Sequence, residues 1–249
     1  MSFIGIANNI WRATKGTGGG LAFNPLSLNP ITFHDISDIT TLFQDSAMTI
    51  SVTANNDPVG AVVDKSGNAH HLLQATAGAR PLYKVSGGLA WLEFDGVDDF
   101  LKATAFNLEH PFDRYMGARN ISYIGGGGLW DGDAAAQSLT FQSGLDPDLS
   151  AFNGAQLNFS GEATNTDMVF SEQWNTATSR IAIDNNAYVS GNTGANPNSP
   201  DGYTIGARGN GAQFSNIRFY IGLQFNSTQT DANVAKLRTY IGAKEGRSL

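Results

Sequence analysis

The sequence predicts an all-β fold, an antiparallel β-sandwich. Glycine contributes 29 and asparagine 22 of the 249 residues, and both favour turns over the interior of a helix. From residue 31 onward, short segments of β-type residues alternate with clusters of turn residues. Only one segment, close to the C-terminus, has the apolar spacing of a helix.

The predicted strands are separated by loops rich in glycine, asparagine and aspartate. They cover residues 60–64, 89–94, 121–124, 138–142, 168–173, 179–184, 203–207 and 215–225. Two turn signals predict hairpins. The first is Asp95-Gly96, between residues 89–94 and residues 98–101, and the second is residues 184–186, between residues 180–183 and 187–189.

The predicted helix follows residues 228–231, which offer several N-cap side chains. Val234, Leu237 and Ile241 fall on one face at helical spacing, and Gly242 is expected to end the helix. A single terminal helix on a β chain is expected to pack across an edge or end of the sandwich.

Two regions are predicted. Residues 1–30 form an N-terminal arm, in which an apolar patch precedes the glycine-rich run at residues 16–20. This arm is expected to attach the protein to neighbouring chains. Residues 31–249 form one β-sandwich domain.

Composition excludes several classes of protein. The formal net charge is −7 and no basic run is present, which argues against nucleic-acid binding. No apolar run is long enough for a membrane-spanning helix, so no membrane insertion is expected. The absence of cysteine removes disulfides, zinc–thiolate sites and a cysteine nucleophile. The first ten residues lack the basic and long apolar regions of a signal peptide.

Three segments, taken in order, carry a family resemblance. They are residues 64–76 (DKSGNAHHLLQAT, followed by Arg80-Pro81), residues 92–101 (LEFDGVDDFL) and residues 203–208 (YTIGAR), the last leading into a strand and the closing helix. Together they resemble the concanavalin A-like lectin/glucanase superfamily in its laminin-G-like form, found in many phage and bacterial surface proteins. The resemblance covers residues 24–246 and implies a two-sheet antiparallel jelly roll closed by a C-terminal helix. It departs from the usual pattern at residues 33–35, where many relatives have Trp-Leu-Asp and this chain has Phe-His-Asp.

The residues of these motifs are expected to stabilise turns. Asp64 and Asn68 can accept hydrogen bonds from backbone N–H groups of their own turn, and Gly67 suits a positive φ. Asp98 or Asp99 can bond across the turn that begins at Asp95. This structural role is favoured over a ligand role.

The sequence offers little support for catalysis. Glucanases of the superfamily carry paired carboxylates on one strand, and Glu93 and Asp95 would share a strand face. However, Asp98 stands where a glutamate is usual, Gly96 interrupts the strand, and a hairpin already explains the segment. No catalytic residue is therefore assigned, and the protein is expected not to be an enzyme.

No cofactor is expected, although the resemblance leaves Ca²⁺ open, because lectin and laminin-G-like modules often bind it in loops. Two sets of carboxylates are candidates: Asp95, Asp98 and Asp99, or Asp131, Asp133, Asp146 and Asp148. Solvated acidic loops are the favoured interpretation of both.

Sugar binding requires an aromatic surface flanked by polar groups. Trp130 lies beside Asp131 and Asp133, and Trp174 lies beside Asn175, so these five residues are the candidate glycan contacts. For Trp130, burial in the core is an equal alternative.

These observations predict a phage virion protein of the tail, baseplate or fibre, located in the virion and released by lysis. Its lectin-like sandwich would bind a host surface glycan or receptor, its arm would contact other virion proteins, and it would form a homo-oligomer. The alternative is a purely structural virion protein, such as a head decoration or tail scaffold. A minor alternative is a polysaccharide hydrolase, which requires two carboxylates about 5–10 Å apart in a cleft.

Overall fold

Two antiparallel β-sheets pack face to face in the computed structural model of the protein. The structure describes residues 23–103, 105–134, 137–143, 148–159, 164–196 and 202–249. Every strand pair in both sheets is antiparallel. The predicted all-β sandwich with a C-terminal helix is confirmed.

The first sheet has eight strands. They are β1 (Thr32–Asp35), β5 (Leu82–Ser86), β6 (Leu89–Asp95), β8 (Phe112–Ser122), β13 (Asp167–Trp174), β14 (Ser179–Ile183), β15 (Val189–Gly191) and β17 (Asn216–Phe225). Their order is β15-β14-β13-β8-β17-β6-β5, and β1 pairs with the far end of β17.

The second sheet has nine shorter strands. They are β2 (Leu42–Phe43), β3 (Ala61–Val62), β4 (Leu72–Leu73), β7 (Leu101–Ala103), β9 (Gly128–Asp131), β10 (Leu139–Gln142), β11 (Leu149–Phe152), β12 (Gln156–Phe159) and β16 (Tyr203–Ile205). Their order is β12-β11-β10-β9-β16-β7-β4-β3-β2.

Apolar side chains fill two separate cores. The larger core lies between the sheets, and the smaller one lies on the outer face of the eight-stranded sheet, beneath α1 (Asp231–Lys244). As predicted, Val234, Leu237 and Ile241 are buried on one helix face, and the side chain of Thr230 caps the helix. The prediction that Gly242 ends the helix is wrong, because Gly242 lies inside the last turn, packed against Leu249.

One predicted hairpin is confirmed and the other is wrong. Residues 184–186 connect β14 to β15, with Ile181 opposite Val189. The Asp95-Gly96 turn does not join paired strands, because β6 pairs with β5 whereas β7 belongs to the other sheet. Residues 96–100 therefore cross from one sheet to the other, and this crossing forms the edge of the cavity described below.

The turn that begins at Asp64 is confirmed. Its carboxylate accepts hydrogen bonds from the backbone N–H groups of Phe33, Ser66 and His70 at 2.8, 2.9 and 3.1 Å. Asn68 acts differently from the prediction, since its side-chain amide donates to the carbonyl oxygen of Ile31 at 3.0 Å.

The N-terminal part of the predicted arm, residues 1–22, lies outside the described residues. The remainder packs on the outer face of the sandwich, where the ring of Phe23 meets that of Tyr240 edge-on at 6.0 Å. Leu28 contacts the smaller apolar core. Within the described residues, no helix has the length and apolar character needed to cross a membrane.

Candidate active site

A cavity of about 630 Å³ opens where β6 ends and the chain crosses to the other sheet. Polar side chains from several elements line it: Arg80, Glu93, Asp95, Asp99, Asn216 and Arg218. Three carboxylates and two guanidinium groups thus share one space with a side-chain amide. Such a lining can donate to and accept from the hydroxyl groups of a polar ligand.

Asp99 is the buried carboxyl group of the cavity, with 6% of its surface exposed. Its Oδ2 accepts the backbone N–H of Asp95 at 3.0 Å, so the expected bond across this turn is present. Burial raises the pKa of Asp99 to about 6, and the nearby charges of Asp95 and Asp98 act in the same direction. A carboxyl group of this kind can carry a proton near neutral pH.

Asp95 is exposed and is the last residue of β6, directly before the crossing segment. Its Oδ1 accepts the backbone N–H groups of Val97 and Asp98 at 2.8 and 3.4 Å. One oxygen each from Asp95, Asp98 and Asp99 lies within 4.8 Å of the others. These three residues are the ones that could together contact a Ca²⁺ ion, which prefers oxygen ligands.

Glu93 also lines the cavity, two residues before Asp95 and on the same face of β6. Cross-strand pairing places it opposite Arg218, with Nε 3.5 Å from Oε2. Lys84 lies 3.6 Å from Oε1, and the indole N–H of Trp91 donates to Oε2 at 3.3 Å. The guanidinium of Arg218 also stacks on the ring of Trp91 at 4.5 Å. These contacts fix both charged groups relative to the cavity.

Arg80 is held by the main chain. Its Nε and one terminal nitrogen donate to the carbonyl oxygens of Gln74 and Ala75 at 3.1 and 2.9 Å. Gly60 lies directly beneath it, and a Cβ there would approach Arg80 Nε at 2.9 Å and the Gln44 carbonyl oxygen at 2.7 Å. The absence of a side chain at residue 60 is therefore a condition for this position of the guanidinium.

The two tryptophans predicted to contact a glycan lie in the core. Trp130 and Trp174 expose 0% and 1% of their surfaces, so neither ring is available to a sugar at the surface. Both indole N–H groups donate to Glu172, at 3.0 and 3.1 Å, because a buried indole requires an acceptor. Burial raises the pKa of Glu172, and the neighbouring charge of Arg114 opposes that shift.

The polar candidates are divided between core and surface. Asp131 is buried and accepts the backbone N–H groups of Gly132 and Gly209 at 2.8 and 3.0 Å. Asp133 lies near the surface in an ion pair with Lys102 at 2.9 Å. Asn175 is exposed beyond the end of β13 and does not line the cavity. The structure thus does not bring these five residues into one site.

The second predicted calcium set is not assembled within the described residues. Asp146 falls outside them, and the carboxylates of Asp131, Asp133 and Asp148 do not approach one another as those of the first set do. The oxygens of Asp131 are occupied by backbone N–H groups, which accounts for the difference.

Sequence reasoning missed the two arginines and Asn216 as site residues. Arg218 and Asn216 belong to β17, whose inward-facing residues are apolar, so a lone charge on that strand was the available signal. Arg80 was noted only as part of a motif. Its position in the cavity depends on hydrogen bonds to the carbonyl oxygens of Gln74 and Ala75, which the spacing of residues in the sequence does not predict.

Several known structures that are similar to this chain are glycoside hydrolases. A Trypanosoma rangeli sialidase is 13% identical with a TM-score of 0.57, over 92% of this chain and 34% of its own. A GH54 α-L-arabinofuranosidase is 14% identical with a TM-score of 0.62, over 86% of this chain and 63% of its own. An arabinofuranosidase in complex with arabinofuranosyl-α-1,2-xylobiose is 14% identical with a TM-score of 0.63, over 86% of this chain and 62% of its own. Neither a protein family nor a curated protein sequence matches the chain.

These comparisons contradict two of the expectations drawn from the sequence. A phage virion protein and a chain without enzymatic activity were expected, whereas the similar structures named above are a sialidase and arabinofuranosidases. The chain spans about a third of the sialidase and less than two thirds of each arabinofuranosidase. At this level of identity the similarity establishes the sandwich fold, and any activity of this chain is a proposal.

Proposed function

We propose that the protein is a carbohydrate-processing enzyme that hydrolyses a glycosidic bond in the cavity at the end of β6. The observation that carries this proposal is the pairing of a buried carboxyl group, Asp99, with the exposed carboxylate of Asp95 in one cavity. Groups with perturbed pKa values in a cleft are typical of catalytic sites. The glycoside hydrolases that share the fold support the same class of reaction.

The spacing of the two carboxyl groups favours a retaining mechanism. Oxygens of Asp95 and Asp99 lie within 4.8 Å, whereas retaining glycosidases separate their carboxyl groups by about 5 Å and inverting ones by about 6.5–9.5 Å. The longer separation leaves room for a water molecule between the groups.

Each carboxyl group has a role that follows from its surroundings. Asp99 would protonate the glycosidic oxygen through Oδ1, since Oδ2 already accepts the N–H of Asp95. Asp95 would attack the anomeric carbon through Oδ2, since its Oδ1 is engaged in the turn. The leaving sugar departs with the proton, and a glycosyl ester remains on Asp95. Asp99, now ionised, would take a proton from the water that hydrolyses this ester.

The remaining polar groups would bind the sugar. Arg80 and Arg218 are fixed by carbonyl oxygens and by the ring of Trp91 respectively, so their nitrogens need little reorganisation to donate to hydroxyl groups. Glu93 lies between Lys84 and Arg218 and can accept from a hydroxyl group. Asn216 supplies both a donor and an acceptor.

The test is hydrolysis of a panel of 4-nitrophenyl glycosides and neutral polysaccharides by the wild-type protein and by Asp99→Asn. The panel includes the α-L-arabinofuranoside and a sialic acid glycoside, after the enzymes that share the fold. We expect cleavage of at least one substrate and a loss of 10²–10⁴-fold in Asp99→Asn, the usual contribution of a general acid. Asp148→Asn is the matched control, because it makes the same change at an exposed aspartate that does not line the cavity. Cleavage of no substrate, or equal loss in both variants, would refute the proposal.

A further inference from the structure

A second cavity, of about 410 Å³, is lined by Phe100, the residue that follows Asp99. Its lining includes an aromatic ring, an ion pair, an amide side chain and two glycines. These residues are Phe100, Lys102 with Asp133, Asn210, Gly209 and Gly211. Phe100 follows Asp99 directly, so their Cα atoms are about 3.8 Å apart. Consecutive residues of the chain thus line the two cavities.

Phe100 is partly exposed and held in place. Its ring packs against that of Phe214, with centroids 6.3 Å apart. Its backbone is also fixed, because its N–H donates to the Ala79 carbonyl oxygen at 3.3 Å and its carbonyl oxygen accepts the side-chain amide of Gln74 at 3.1 Å. The ring is therefore a rigid apolar surface that needs little ordering when a ligand binds.

Gly211 leaves this ring uncovered. Its φ of +69° favours glycine, and a Cβ at this position would contact the Phe100 ring at 3.6 Å. A larger residue at 211 would therefore cover the face that the cavity exposes.

The polar groups around the ring carry no net charge. Lys102 and Asp133 form an ion pair at 2.9 Å, and the Lys102 ammonium also donates to the carbonyl oxygens of Asp133 and Gly209 at 2.6 and 3.0 Å. All three donor positions of the ammonium are thereby used, whereas Asp133 Oδ2 lies outside these contacts. The exposed amide of Asn210 offers a donor and an acceptor beside it.

We propose that this second cavity is a saccharide-binding subsite, in which Phe100 stacks against the apolar face of a neutral sugar while Asp133 and Asn210 bind its hydroxyl groups. An apolar ring with a few polar groups is the chemistry that sugar recognition requires. The balanced charge favours a neutral sugar over an acidic one. Trp130, the ring expected beside Asp133, is buried, and Phe100 takes its place.

The subsite defines the substrate class. It rests on the proposed function in one respect, since the sugar it holds would belong to the chain that is cleaved beside Asp99. An occupant in each cavity requires at least two linked sugars. The substrate is therefore an oligosaccharide or polysaccharide, not a simple glycoside of a small alcohol.

The experiment measures binding separately from hydrolysis. Calorimetric titration with xylohexaose, cellohexaose, maltohexaose and 1,5-arabinohexaose compares wild-type protein, Phe100→Ala, Asn210→Ala and the control Val97→Ala. Val97 is exposed on the same crossing segment and lines neither cavity. We expect one hexasaccharide to bind, with affinity reduced about tenfold in Phe100→Ala, reduced less in Asn210→Ala and unchanged in Val97→Ala.

Two results would overturn the subsite: no hexasaccharide binds the wild-type protein, or both variants bind as the wild type does. Asn210 is exposed, so its variant tests the subsite even where loss of the Phe100 ring affects folding. Failure of the proposed function has a different signature. In that case Phe100 and Asn210 still affect hexasaccharide binding, but no product forms with either the wild-type protein or Asp99→Asn.

Discussion

Trp130 donates its indole N–H to the carboxylate of Glu172 at 3.0 Å in the space between the two sheets. Thr140 and Trp174 donate to the same carboxylate at 2.6 and 3.1 Å, and Arg114 lies 3.5 Å from it. All of these side chains are buried. The larger core therefore contains a charged pair surrounded by hydrogen-bond donors.

Glu172→Gln is expected to destabilise the protein by about 3–5 kcal/mol, because the Arg114 charge then stays buried without its partner. Unfolding in urea, followed by tryptophan fluorescence, measures the free energy of unfolding. The double variant Arg114→Met/Glu172→Gln removes both charges and keeps one oxygen to accept from the indoles. We expect it to be more stable than Glu172→Gln alone. If the two substitutions destabilise additively, the pair is not coupled.

Much of the fold was predictable because most strands follow simple patterns. The closing helix, the hairpin at residues 184–186 and β17 lie where apolar spacing and turn residues place them. Strand β8, the central partner of β13 and β17, was predicted only at its end. Asp113 and Arg114 near its start resemble a solvated loop, yet both are fully buried, and only contacts from distant strands account for that.

The site was predictable only in part. Glu93 and Asp95 were recognised as a pair on one strand face, but a hairpin was the favoured explanation and no catalytic role was assigned to them. The hairpin is absent because residues 96–100 cross between sheets, which buries Asp99 beside the cavity. Periodicity cannot distinguish a hairpin from such a crossing, because the local turn residues are the same. For Trp130 the sequence left surface exposure and core burial as equal alternatives, because its hydrogen-bond partner Glu172 lies 42 residues away in sequence.

Hydrolysis is expected to decrease above pH 6, because Asp99 must carry a proton and burial raises its pKa to about 6. Asp98→Asn removes one of the neighbouring negative charges that raise this pKa, so the alkaline limb of its profile should shift to lower pH. The measurement is kcat/KM from pH 4 to 9 for both proteins, on whichever substrate is cleaved. Superimposed alkaline limbs would show that Asp99 is not the titrating acid.

His34 is expected to make the fold sensitive to mild acid. It is fully buried, with Nε2 2.9 Å from the His70 carbonyl oxygen, and burial lowers its pKa to about 4. In the unfolded chain the pKa of this histidine is 6.5, so the unfolded state takes up a proton at a higher pH than the folded state does. The stability that His34 contributes is therefore present above pH 6.5 and is lost as pH falls towards 4. The full loss is about 3 kcal/mol.

The variant His34→Gln isolates this effect, because carboxyl groups remote from residue 34 titrate equally in both proteins and the pKa of the neighbouring Asp64 lies below its ordinary value. Urea unfolding at pH 7, 6, 5 and 4.5 gives the difference in free energy of unfolding between wild type and variant. We expect the wild type to lose more stability than the variant on acidification. A constant difference across this range would show that protonation of His34 does not limit stability.

Gly60 is expected to control the position of Arg80 and hence sugar binding. A Cβ at residue 60 would meet the Gln44 carbonyl oxygen at 2.7 Å and Arg80 Nε at 2.9 Å, so backbone or guanidinium must move. Gly60→Ala should therefore lower the free energy of unfolding by about 1–3 kcal/mol and weaken saccharide binding. Gly78→Ala is the matched control, since Gly78 lines the same cavity and a Cβ there meets nothing within 4 Å. Urea unfolding and calorimetric titration separate the effect on stability from the effect on saccharide binding. An effect on stability alone would show that Arg80 does not contact the sugar. Equal affinity in Gly60→Ala and Gly78→Ala would assign sugar recognition in this cavity to Arg218 and the carboxylates.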